Sequence, residues 1–123
     1  MIEIRTCDLL LGRSQAVAEV LLLCALANAH TIPVGDSAGW TYDMGGWPNG
    51  KTFKAGDILV FKYDPAEHTV VIVSKENYDS CKPVGKTLSS GHDHVRLTSG
   101  TSYYICGIAD HCDFGQKINV TAV

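Results

Sequence analysis

Between Cys106 and Gln116 the chain places a cysteine, a histidine and a glutamine five residues apart, at Cys106, His111 and Gln116, and a second histidine, His68, lies upstream. One thiolate and two imidazoles, with a weak axial oxygen donor, make a trigonal site suited to copper. Thiolate suits Cu(I), and imidazole suits both oxidation states. A ligand set of this kind leaves no open in-plane position for a substrate, so the chemistry it points to is single-electron transfer and not catalysis. Zinc also accepts one Cys and two His with a fourth ligand, but a glutamine amide is a poor fourth ligand for it. The cofactor expected is one type 1 copper per chain, held by His68, Cys106, His111 and Gln116.

Taken singly, these residues have plainer readings. A buried cysteine is usually a small hydrophobe, and a histidine facing a core is usually a hydrogen-bonded structural group. The joint reading gains from the five-residue steps, from the cysteine count and from strand parity.

The elements that must position these groups are strands. After residue 30, short β-favouring runs alternate with Gly, Pro, Asn and Asp turns, and no window holds a 3.6-residue apolar period, which points to an all-β sandwich or barrel. Strands are expected at Thr31–Val34, Ile58–Tyr63, Thr69–Val73, Val95–Leu97, Ser102–Ile105 and Gln116–Val123, with one helical turn at Lys75–Ser80. Alternate side chains of a strand share a face. Gln116 has the parity of Ile118, Val120 and Ala122, and His68 that of Val70 and Ile72, so both should face the core from strand ends. The same parity turns Asn119 and Thr121 outward, so that the sequon Asn119-Val120-Thr121 is open to a glycan.

The first quarter of the chain reads differently. Val20–Ala29 is a short apolar run ending in Ala27-Asn28-Ala29, with Arg5 and Arg13 ahead of it. This pattern predicts a signal peptide over residues 1–29 and a mature domain over residues 30–123. The leader is atypical in carrying Glu3, Asp8 and Glu19. Its apolar part is too short for a bilayer, which needs about 20 residues. Cys7 and Cys24 leave with it, and Cys81, Cys106 and Cys112 remain. An odd number in a secreted protein leaves one thiol for something other than internal pairing. If Cys106 binds metal, Cys81 and Cys112 are left to form a disulfide.

Residues 30–123 hold 8 basic and 10 acidic side chains. That balance lacks the basic patch a nucleic-acid partner requires, and the chain ends without the spacer and apolar tail of a lipid anchor. A monomer without a membrane anchor is expected. Ile108 and Ala109 would form an apolar rim at the edge of His111, where a redox partner would dock weakly. His92 and His94 read as solvated loop residues. His30 would become the N-terminus after cleavage, yet no second histidine is evident to complete an N-terminal chelate. Trp40, Trp47, Phe53, Phe61 and Tyr63 read as packing residues.

Several stretches resemble the phytocyanins, the plant blue copper proteins: Asp36-Ser37-Ala38-Gly39-Trp40, Trp47-Pro48-Asn49-Gly50 through Asp57, His68 before Thr69-Val70-Val71, and Tyr103 through Ile118. The resemblance spans residues 30–123 and is most specific in the last quarter. It implies a cupredoxin-type Greek-key β-sandwich of two sheets with 7 or 8 strands, a type 1 copper on His68, Cys106 and His111, and a Cys81–Cys112 disulfide. Within the family the pattern is mixed. The Ser90-Gly91-His92-Asp93 segment and short domain resemble plantacyanins and chemocyanins, whereas Gln116 at the axial position resembles stellacyanins.

The function implied is a secreted electron carrier of the plant cell wall space, or apoplast, with association with the cell surface as a variant. An extracellular signalling or adhesion module in which copper is structural or incidental is the alternative. A copper oxidase would need further copper centres built from many more histidines than the five present.

Overall fold

The computed structural model describes residues 29–123 and contains seven strands in two sheets. β1 (Thr31–Pro33), β2 (Ile58–Lys62) and β5 (His92–Arg96) form a three-stranded sheet in the order β1-β2-β5. β3 (Val70–Val73), β4 (Lys86–Leu88), β6 (Gly100–Ile105) and β7 (Lys117–Ala122) form the second, in the order β4-β3-β6-β7. β1 and β2 are parallel, and every other pair of neighbours is antiparallel. Because β2 pairs with β5 and β3 with β6, the chain crosses between the sheets, and the two layers enclose one main core.

The core follows from strand alternation. In β7 the residues Ile118, Val120 and Ala122 are buried while Asn119 and Thr121 are exposed, as parity predicts. Phe61, Tyr104 and Trp40 meet at the centre, with Phe61 edge-on to Trp40 at 5.1 Å and tilted against Tyr104 at 5.3 Å. Such contacts add specificity to the burial of large apolar surfaces. β3 is apolar throughout because it is covered on both faces. Val70 and Ile72 face the main core, and Val71 and Val73 pack with Ile105 and Cys112 in a smaller cluster on the outer side.

That outer cluster is roofed by α1 (Lys75–Ser80). Ser74 caps it by accepting the Asn77 N–H at 3.2 Å, and Cys81 ends it in the left-handed region at φ 55°. There the N–H of Lys82 returns to the Asn77 carbonyl at 2.8 Å, satisfying one carbonyl that a helix terminus leaves open.

Most strand ends lie one or two residues from the sequence expectation, β7 starting at Lys117 instead of Gln116, and two differences are larger. β4 has no counterpart in the sequence expectation, since Lys86-Thr87-Leu88 is short and two of its side chains are exposed. β5 begins at His92 instead of Val95, although His92-Asp93-His94 is polar. The polar start is possible because His92 and His94 face solvent and the inward Asp93 is satisfied. Its carboxylate accepts from the Tyr63 hydroxyl and from the Ser90 hydroxyl at 2.5 Å. The leader expected over residues 1–29 lies, but for Ala29, outside the described residues. Among the described residues no helix is long and apolar enough to cross a membrane.

Candidate metal centre

Cys106 follows β6 directly and Gln116 precedes β7, and the two are joined by the Cys106 N–H donating to the Gln116 carbonyl at 3.0 Å. The β6–β7 ladder thus continues by one rung and sets both side chains at one end of the core. The intervening loop is wound by its own backbone. His111 N–H donates to the Ile108 carbonyl at 3.1 Å, Gly115 N–H to Cys112 at 2.9 Å, and Gln116 N–H back to His111 at 3.0 Å.

His68 enters just ahead of β3, the strand that flanks β6 opposite β7, after a turn in which the N–H groups of Glu67 and His68 donate to the Asp64 carbonyl at 2.9 and 3.0 Å. The next residue fastens this turn to the loop, because the Thr69 hydroxyl accepts the Gly107 N–H at 3.0 Å. A Cβ on Gly107 would stand 2.9 Å from a Val71 methyl, so glycine is what allows the loop to lie this close to β3.

The candidate ligand atoms of His68, Cys106 and His111 all lie within 4.8 Å of one another. Cys106 Sγ is 3.6 Å from His111 Nδ1. A sulfur and a nitrogen bound to one ion at ordinary metal–thiolate and metal–imidazole lengths stand about 3.5–3.8 Å apart. The pattern of unpaired polar atoms agrees: His68 Nδ1 and both amide atoms of Gln116 are buried without a hydrogen-bond partner among the described residues. Gln116 is wholly buried, at 0% exposure. Buried polar groups left unpaired are costly, and an ion here would engage His68 Nδ1 and lie near the Gln116 amide. The Gln116 NH2 group is the one donor that such an ion does not account for. The Ile108 N–H points at Cys106 Sγ from 3.5 Å and supports negative charge on sulfur. Thiolate, imidazole and amide oxygen together suit copper.

The structure also joins Cys81 to Cys112, with Cα atoms 5.7 Å apart, tying the end of α1 to the loop beside His111. Among the described residues Cys106 remains as the free, buried thiol. Closing a loop of this size stabilises by about 3–4 kcal/mol on the chain-entropy estimate.

Two residues of this region escaped the sequence reading. Tyr42, far away in sequence, stands over the two imidazoles, with ring centroids 5.5 Å from His68 and 5.0 Å from His111, and its hydroxyl is 3.2 Å from His111 Nε2. Phe114 projects from the loop at 64% exposure. With Asp110 and His111 these two line a shallow hollow of about 500 Å³. No spacing rule links Tyr42 to the loop, whereas Phe114 lies between His111 and Gln116, where a large aromatic in a short loop is itself the sequence signal. Ile108 and Ala109 are exposed in the same loop.

The other candidate residues lie elsewhere. Asn119 is exposed on β7, and its amide nitrogen donates to the Tyr78 hydroxyl at 3.2 Å. His92 and His94 are stacked at 5.0 Å on the outer face of β5. The His30 N–H donates to the buried Asp57 carboxylate at 2.9 Å.

A two-sheet β-sandwich with a buried cysteine and two histidines gathered at one end defines a cupredoxin, the class of small blue copper proteins. Comparison with known proteins refines this. A family model described as a plastocyanin-like domain matches residues 37–116. The chain is 50% identical over 101 residues to the chemocyanin of Lilium longiflorum, covering 80% of each chain. It is 46% identical over 110 residues to a basic blue protein of Arabidopsis thaliana, covering 88% of this chain and 85% of that one. Among solved structures, cucumber basic protein, a blue copper protein, superposes with a TM-score of 0.74 at 45% identity, covering 76% of this chain and 99% of that one. The chain belongs to the phytocyanin family, and His68, Cys106 and His111 form its type 1 copper site. As a member of that family it is a copper-binding protein and not an enzyme.

Proposed function

We propose that this chain is a secreted carrier of single electrons in the extracellular space of a plant. The observation that carries the reading is the set of ligand atoms of His68, Cys106 and His111 within 4.8 Å, formed at a buried end of the core. Copper bound there supplies one-electron chemistry between Cu(I) and Cu(II). The protein's part is to hold the donors still. Cys106 and Gln116 sit on a continuous ladder, His68 on a tied turn, and His111 in a loop held by a disulfide. A fixed frame leaves little to rearrange when an electron arrives or departs. Gln116 is assigned the weak axial contact.

Secretion is supported by the leader pattern over residues 1–29 and by the Cys81–Cys112 disulfide, which suits an oxidising compartment. A signal peptide over those residues and a mature domain over residues 30–123 are part of the proposal, as is a glycan on Asn119. The redox partner is assigned to the exposed apolar rim of Tyr42, Ile108 and Phe114 around His111. A rim this small fits a weak, brief encounter of the kind redox pairs make.

A second reading is an extracellular signalling module with incidental copper. It is favoured by the likeness to a protein named chemocyanin. The two readings part in a redox titration of the copper-loaded domain. Reversible uptake and release of one electron per chain, with copper retained throughout, is the result expected of a carrier. Copper that stays bound yet accepts no electron would move the signalling reading to the front.

A further inference from the structure

We infer that Tyr42 is a positioning residue of the metal centre, whose hydroxyl oxygen accepts the Nε2–H of His111 when His111 binds metal through Nδ1. This rests on the copper reading above. His111 Nδ1 faces the other ligands, 3.6 Å from Cys106 Sγ, while Nε2 faces outward and lies 3.2 Å from the Tyr42 oxygen. A nitrogen bound to metal carries no proton, so the neutral ring keeps its proton on the other nitrogen and can only donate there. A tyrosine hydroxyl can accept. The chemistry of the ligand therefore assigns the direction of a contact whose direction the distance alone leaves open.

Tyr42 is also held in place, although its side chain is 43% exposed. Two residues before it, Trp40 donates its backbone N–H to the Lys62 carbonyl at 2.9 Å and its indole N–H to the Thr69 carbonyl at 2.9 Å. On the other side, Asp43 and Met44 donate their N–H groups to Phe114 and Gly115 at 3.2 and 2.8 Å. Gly115 sits at φ 85°, and a Cβ there would be 3.0 Å from Asp43 Cα, so the two loops are in close contact. The segment carrying Tyr42 is thus stitched both to the His68 side and to the loop of His111. Its ring then stands edge-on to both imidazoles, at 79° to His68 and 81° to His111.

Metal-binding histidines usually pass their second N–H to an acceptor, which fixes the ring and raises its donor strength. A stronger imidazole donor favours Cu(II) over Cu(I). The phenol also covers the outward edge of the imidazole, so an approaching partner meets Tyr42 as well as His111.

The test is Tyr42→Phe, which keeps the aromatic ring and removes the hydroxyl. In the diamagnetic Cu(I)-loaded protein, NMR of the wild type should show a slowly exchanging His111 ring N–H, and the variant should lose it. Cu(II) affinity should fall about tenfold, as for other outer partners of metal-bound histidines, and Cu(I) affinity by less, so the reduction potential rises. A fast-exchanging N–H in the wild type, or equal potentials in the two proteins, overturns the inference while leaving the copper site in place. A wild type that binds no copper overturns the copper reading along with it.

Discussion

Cys106 and Gln116, ten residues apart in sequence, are direct neighbours across the end of the β6–β7 ladder, with the Cys106 N–H 3.0 Å from the Gln116 carbonyl. The Cys106 thiolate and the Gln116 side chain are therefore set by one backbone register. The Gln116 amide atoms find no partner among the described residues. An amide oxygen is a harder donor than a thioether and favours Cu(II). Gln116→Met should raise the reduction potential while copper stays bound, as read by protein-film voltammetry. An unchanged or lower potential would remove Gln116 from the coordination sphere.

The disulfide makes a separate prediction. Cys112 is buried and Cys81 ends α1, so replacing both by alanine avoids burying a hydroxyl. The double variant Cys81→Ala, Cys112→Ala should lose about 3–4 kcal/mol of unfolding free energy in urea. Cys106 is untouched, and the variant should still bind copper under folding conditions. A loss of less than about 1 kcal/mol would show that the loop is held by its hydrogen bonds alone.

Alkaline pH should reveal the Tyr63–Asp93 contact. Burial, and then the hydrogen bond to Asp93, push the Tyr63 hydroxyl up from 10.0 to about 12. The unfolded chain releases this proton near 10 and the folded chain near 12, so between these values the unfolded state holds fewer protons. Stability from this group is complete below pH 10 and is lost as pH rises through about 12. Tyr63→Phe should be less stable at pH 8 by about 1–2 kcal/mol for the lost hydrogen bond, and its stability should fall less steeply between pH 10 and 12. Tyr104 is also raised, by burial, and contributes equally to both proteins. Parallel curves of urea midpoint against pH would refute the assignment.

Much of this was legible in the chain, for physical reasons. β7 alternates cleanly, so Gln116 inherits an inward direction from Ile118, Val120 and Ala122. The three cysteines after residue 29 allow one pair and one free thiol, and the structure shows that division. Less legible was whatever depends on tertiary satisfaction. The polar start of β5 forms because Tyr63, 30 residues away, and Ser90, three residues before, satisfy Asp93, and apolar periodicity records neither contact. β3 shows no alternation because a helix and a disulfide cover its second face. Tyr42 reaches His111 across 69 positions of sequence, through two loops that only the folded chain brings together.

The central claim is tested most directly by titrating the purified protein with Cu(II) and recording its visible absorption, beside a Cys106→Ser control. The account predicts an intense blue band that saturates at one copper per chain and is absent from the control. An intact fold that takes up Cu(II) without a blue band, or a band that survives loss of the thiol, would contradict it.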